Sequence, residues 1–252
     1  MPQLGVSTVL ITDFDLATNL VSLAVKHVVD YMKARGIKVD VLYGDNAIRS
    51  KAIESIEKND PIFFFGMGHG SIVYFTGQGF NYVFWSCDCK ELKGRVVFLL
   101  SCNTGADLGA DIVNKGGLCF IGYKREFVWI QEKTQNPLND RYGRGFFESA
   151  LEIVYRLASG DTTGKAFKAS IDRWNYWIDY WTRSDDPVAP LVIALMINDR
   201  DCQVIYGDEN AKIIEVPMPE IQWYVLSALF ASIPLITVGG AIMSNEMKKV
   251  IV

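Results

Sequence analysis

Pro61-Ile-Phe-Phe-Phe-Gly-Met-Gly-His69-Gly70 and Arg95-Val-Val-Phe-Leu-Leu-Ser-Cys102-Asn-Thr-Gly105 share one pattern: a short apolar run that ends in a reactive side chain among small residues. Each run is too short for a helix and is bounded by glycine or polar residues, which reads as a strand buried on both faces. In an open parallel sheet, ligands and catalytic groups gather at the carboxyl ends of the strands. Two such strands side by side would bring an imidazole and a thiol to the same edge. A cysteine after an apolar strand is also a common small hydrophobe, and a lone histidine there is commonly structural. The pairing of the two in matched contexts, 33 positions apart, is what singles them out.

The chain around these runs alternates regularly. Residues 6–12, 37–43 and 118–122 read as further strands. Residues 16–34, 46–58 and 106–114 read as helices, with Gly36 and Gly116-Gly117 as stops. Residues 74–84, with Gly77 and Gly79 inside, read as a hairpin. Strands alternating with helices predict an α/β fold, with a mostly parallel sheet flanked by helices on both faces. After Tyr123 a polar loop is expected, then helices over 145–158 and 164–180, a last core strand over 191–196, and a terminal hairpin from 203–206 and 212–215. Trp174, Tyr176, Trp177, Tyr180 and Trp181 recur at helical spacing and read as core or interface.

Bulk properties exclude several classes. The chain has 252 residues, half of them hydrophobic, and a net charge of −4, which suits a folded domain and gives no nucleic-acid footprint. Five cysteines without a regular framework fit a reducing compartment. Cys87 and Cys89 form a C-x-C pair and the only histidines are His27 and His69, so no zinc set assembles and no metal or cofactor is expected. His27, on the first helix, reads as structural.

Residues 1–12 read as a first strand and not a signal peptide. Residues 221–245 carry no charge. Within them Trp223 to Met243 would span roughly 32 Å as a helix, enough for a bilayer core. Trp223 and Tyr224 at one end and Lys248 and Lys249 beyond the other suit the interfaces. The expectation is a domain over residues 1–216, then a linker and C-terminal apolar helix over 217–252. That helix would act as a tail anchor with the domain on the cytoplasmic side, although the two lysines favour the reverse topology. A helix docked on the sheet is the alternative.

The two blocks, an apolar run ending in His-Gly followed by one ending in Ser-Cys, resemble the signature of clan CD cysteine peptidases, which include the caspases, gingipains, legumain, clostripain, separase and the CHAT group. The order His before Cys separates it from papain-like enzymes. Leu-Leu-Ser-Cys-Asn-Thr-Gly at 99–105, the Gly116-Gly117 turn and Ile205-Tyr-Gly-Asp208 place the likeness nearest the gingipain and CHAT-like branches, with Glu209 where those have proline. The resemblance implies a caspase-like fold and a cysteine endopeptidase acting on a protein or peptide. In it Cys102 is the nucleophile of an acyl-enzyme, His69 is the acid/base, and the N–H groups of Gly70 and Cys102 form the oxyanion hole. It also implies a specificity pocket from the loops after the first, fourth and fifth strands. These loops offer Asp13 and Asp15, then Asn103 and Thr104, then Lys124 with Arg125. The aspartates would favour a basic residue in the substrate, or they merely cap the first helix; Lys124 and Arg125 would favour the opposite charge. A catalytically inactive caspase-like scaffold, or a membrane-associated structural protein binding partners, is the competing expectation.

Overall fold

The computed structural model of the chain describes residues 2–132, 136–214 and 248–251. A six-stranded sheet forms the centre, in the order β2 (Lys38–Tyr43), β1 (Gln3–Ile11), β3 (Pro61–Met67), β6 (Val96–Leu100), β7 (Cys119–Tyr123), β9 (Gln203–Gly207). All neighbours pair in parallel except β7 and β9, which are antiparallel. The fold is therefore α/β with a mostly parallel sheet, of the caspase-like kind.

Alternation along each strand sends side chains to two separate cores. Val9 and Ile11, Phe63, Phe65 and Met67, Val96, Phe98 and Leu100, and Ile121 and Tyr123 face one side. There they meet α1 (Leu16–Ala34), α4 (Gly143–Ala158), α5 (Thr163–Thr182) and α6 (Ala189–Cys202). Leu10, Phe64, Val97, Leu99 and Phe120 face the other side. They are covered by α2 (Arg49–Asn59), α3 (Leu108–Asn114) and the hairpin of β4 (Tyr74–Thr76) and β5 (Tyr82–Trp85). Cover on both faces is why these strands read as unbroken apolar runs.

From β1 the chain crosses through α1 to β2 at its side. It then returns through α2, over the opposite face, to β3 on the other side of β1. The loops leaving β1 and β3 thus diverge, and a crevice opens between their carboxyl ends.

Three expectations are corrected. Residues 191–196 do not form a strand but lie within α6, where Val192 and Met196, four apart, are buried. A short apolar run cannot be told from a buried helix face by hydrophobicity alone. The last strand of the sheet is β9, and it pairs with β7, while residues 212–214 form no strand. Ile213 is held instead by its carbonyl, which accepts the N–H of Gly5. The loop after Tyr123 contains β8 (Val128–Gln131), paired antiparallel with β10 (Lys248–Ile251). The apolar stretch expected as a membrane helix, Trp223 to Met243, lies outside the described residues. Among the described residues no helix is long and apolar enough to cross a membrane. Of the aromatic run, Trp174, Trp177 and Trp181 are core, while Tyr176 and Tyr180 are exposed.

Candidate active site

The registered pairs of β3 and β6 end at Met67 opposite Leu100. His69 and Cys102 each follow two residues past these ends, at the carboxyl edge of neighbouring strands.

His69 is fixed from three directions. Its Nε2 lies 2.6 Å from Oδ2 of Asp15. A carboxylate only accepts, so Nε2 carries the proton of this bond and Nδ1 is left for chemistry. The ring stacks on Phe80, with centroids 5.0 Å apart, and meets the edge of Phe14. Its carbonyl receives the N–H and hydroxyl of Thr76 at 2.9 and 3.0 Å. Asp15 is also the N-cap of α1, in a capping box with Thr18. Burial would raise its pKa, but the Thr18 N–H and the His69 ring outweigh burial and hold the carboxyl below the usual range. The pair sits at the crevice between β1 and β3.

Gly70 bridges Phe75 on the hairpin through bonds made by its neighbours: Ser71 N–H to the Tyr74 carbonyl, and Thr76 N–H to the His69 carbonyl. In an antiparallel bridge of this type the central residue's own N–H faces away from its partner strand. On that far side lies the loop after β6. A Cβ on Gly70 would stand 2.1 Å from Ser101 Oγ and 2.7 Å from the Cys102 carbonyl oxygen, so only glycine fits. Ser101 Oγ and Thr104 Oγ1, both buried here, have no hydrogen-bond partner.

Cys102 is 5% exposed, and its thiol points inward to the Phe127 carbonyl at 3.8 Å. Burial pushes the thiol pKa up to about 12. The helix after Cys102 starts at Leu108 and is seven residues long. Phe127 is itself held in place. The next N–H, of Val128, donates to the buried Asp199 carboxylate, and the Asn198 amide donates to the Glu126 carbonyl.

His69 and Gly70 line an open groove of about 640 Å³, together with Tyr74, Thr76, Phe80, Asn81 and Tyr82. The other expected site residues fall around it unevenly. Asp13 is tied to Gln78, whose side-chain amide exchanges two 3.0 Å bonds with its carboxylate and N–H. Asp15 caps α1 and holds His69, so neither aspartate lines the groove as a free carboxylate. Thr104 packs beside Gly70. Asn103 adopts a left-handed conformation, φ 62°, and donates its N–H to the Arg125 carbonyl. Lys124 is exposed beyond β7, and its N–H donates to the Cys202 carbonyl. Sequence reasoning missed Asp15 as the partner of His69, because its helix-capping pattern accounts for it fully and 54 residues separate the two. It also missed Phe80, which sits in an ordinary-looking hairpin turn.

This mostly parallel sheet with helices on both faces is of the caspase-like fold class. The structure is similar to that of the Arg-specific cysteine proteinase gingipain R (RgpB), with a TM-score of 0.57 and 12% identity, over 83% of this chain and 47% of that one. It is similar also to the complex of Porphyromonas gingivalis RgpB pro- and mature domains, with a TM-score of 0.55 and 11% identity, over 82% of this chain and 48% of that one. The chain thus spans less than half the length of either neighbour. At such identity the likeness establishes the fold and transfers no residue role. No protein-family model and no curated protein matches the sequence.

Proposed function

We propose that this chain is a cysteine-type endopeptidase in which Cys102 is the nucleophile, His69 the acid/base and Asp15 the carboxylate that orients His69. The pairing of β3 with β6 supports this reading, because the two strands that lead to His69 and Cys102 are neighbours. In the reaction the Cys102 thiol swings away from the Phe127 carbonyl and gives its proton to Nδ1 of His69. The sulfur bonds to the scissile carbonyl carbon, and the carbonyl oxygen, now negative, is received by the N–H groups of Gly70 and Cys102. Protonated His69 gives its proton to the departing amine as the C–N bond breaks, leaving a thioester. Water then attacks the thioester carbonyl carbon and His69 takes a proton from it; as the C–S bond breaks His69 passes that proton to sulfur, and the acid product and the thiol are released. No redox or metal step is needed for this balance.

The inward thiol supports one other reading, a caspase-like module that binds partners without cleaving them. One experiment separates the two. The wild-type chain, Cys102→Ala and His69→Ala are given a mixed pool of quenched peptides and, separately, iodoacetamide. The endopeptidase reading expects cleavage that disappears in Cys102→Ala, falls by about 10²-fold or more in His69→Ala, and is blocked by iodoacetamide. Cleavage undiminished in Cys102→Ala would overturn the nucleophile, and absence of any cleavage by the wild type would favour the binding module.

A further inference from the structure

The groove beside His69 has a place in that reaction which follows from sheet order. Cys102 ends β6, with His69 and β3 on one side and Phe127, after β7, on the other. The groove runs along the hairpin beside His69 and Gly70. Its hairpin leans over the loop after β1: Gln78 accepts the N–H of Asp13 and donates its own to the Ala47 carbonyl, while Phe80 packs edge-on against Phe14 at 4.8 Å. A peptide with its scissile carbon at Cys102 and its departing nitrogen at His69 must send its C-terminal half past His69 into this groove. The N-terminal half must run towards Phe127 and β8.

The lining has a definite chemistry. Tyr74, Phe80 and Tyr82 supply three rings, Thr76 and Asn81 supply neutral polar groups, and apart from His69 no ionisable acid or base of ordinary acidity lines it. Phe80 is 59% exposed and Tyr82 55%, so hydrophobic surface is left open at the mouth. The backbone at Phe80 gives a second, independent sign. Its φ is 62°, in the left-handed region that bulky residues avoid. Gly79 before it has the same φ. A turn of this kind is served best by glycine or asparagine. A phenylalanine held there against its own backbone preference, with its ring on His69, marks a position kept for its side chain.

We infer that Phe80, with Tyr74 and Tyr82, forms the subsite for the residue immediately after the cleaved bond, and that this subsite selects a large apolar or aromatic side chain. The inference rests on the peptidase reading and adds its specificity on the leaving-group side.

The test uses the full chain and peptides that differ only in the residue after the cleaved bond: Phe, Leu, Gly, Lys or Asp. The expected result is kcat/KM about 10- to 100-fold higher for Phe and Leu than for Gly or Asp. Two variants then assign it. Phe80→Gly suits the local φ and so folds at least as well, yet it should flatten the preference. Tyr82→Ala should reduce the preference by lowering kcat/KM for the Phe and Leu peptides more than for the Gly peptide. Equal kcat/KM across the series, or an aromatic preference that survives Phe80→Gly and Tyr82→Ala, overturns the subsite while leaving the peptidase intact. The same peptides are titrated into Cys102→Ala by fluorescence anisotropy. Tighter binding of the Phe peptide, lost with Phe80→Gly, supports the subsite even if no peptide is cut. If no peptide is cut and the Phe peptide binds no better than the Gly peptide, the subsite and the peptidase reading fail together.

Discussion

Asp15 serves two neighbours with one carboxylate. Oδ1 accepts the Thr18 N–H at 2.8 Å and Oδ2 meets His69 at 2.6 Å. The helix start and the imidazole are thereby fixed by the same group, which ties the geometry of the site to the fold. Asparagine caps helices as well as aspartate does, so Asp15→Asn should leave the start of α1 intact. It cannot, however, offer a negative acceptor to His69, and an amide NH₂ placed there would favour the wrong tautomer. We expect kcat to fall by about 10²-fold or more with KM little changed, by analogy with tautomer loss in Asp–His pairs generally, and Asp15→Glu to recover part of it. Retention of wild-type kcat in Asp15→Asn would show that the carboxylate only caps the helix. The pH dependence separates the two roles further. The carboxyl is held below its ordinary range, so its stabilising contribution is complete above the unfolded value of about 4 and disappears as pH falls through the folded one. The stability gap between wild type and Asp15→Asn, measured by urea unfolding, should therefore close at the acid end and not at neutral pH.

The hairpin of β4 and β5 decides whether the groove exists, and its position depends on a close backbone approach. A Cβ on Gly77 would lie 1.9 Å from the Ala47 carbonyl oxygen, the same oxygen that accepts the Gln78 N–H. The φ at Gly77 is −96°, so the constraint is proximity and not conformation. Gly77→Ala should cost about 1–3 kcal/mol, as overpacking does, and should raise KM for peptides more than it lowers kcat, because the groove wall moves while Cys102 and its Phe127 partner do not. Chemical denaturation together with peptide kinetics checks this, and an unchanged KM would detach the hairpin from substrate binding. The hairpin itself was legible in the sequence, since Gly77 and Gly79 punctuate an aromatic run. What it leans on was not, because the contact with Ala47 is set by how α2 and β1 pack. The same division holds elsewhere. The first helix was read to the residue from its apolar spacing and Gly36. Residues 191–196 were read as a strand because six apolar residues in a row carry no period, and β8 was hidden in a loop whose flanks are polar.

At the scale of the whole molecule, the two cores explain both what the sequence revealed and what it concealed. Strands buried on both faces announce themselves as apolar runs, so the sheet and the two reactive strand ends could be read directly. Strand order could not, and with it the side of Cys102 on which the groove lies. Nor could the direction of the thiol, which joins the larger core as one more buried group. Cys89, Cys102, Cys119 and Cys202 are all buried, and burial pushes each thiol up to about 12. An unfolded chain ionises its cysteines near 8.5. Between that value and the folded one the native state holds more protons than the unfolded state, so stability is complete below about pH 8.5 and falls as pH rises. Each thiol can contribute a slope of up to about 1.4 kcal/mol per pH unit, large against the 5–15 kcal/mol of an ordinary domain. We expect the urea midpoint to drop steeply from pH 8 to pH 10, in reducing buffer, before tyrosine ionisation enters. Cys119 lies on β7 far from the site edge, so Cys119→Ala should lower the pH-8 midpoint through lost packing and yet remove about a quarter of the alkaline slope. A midpoint flat across this range, or a slope untouched by Cys119→Ala, would mean that these thiols ionise as freely in the native state as in the unfolded chain, and the resting thiol of Cys102 would then need no outward swing to become a nucleophile.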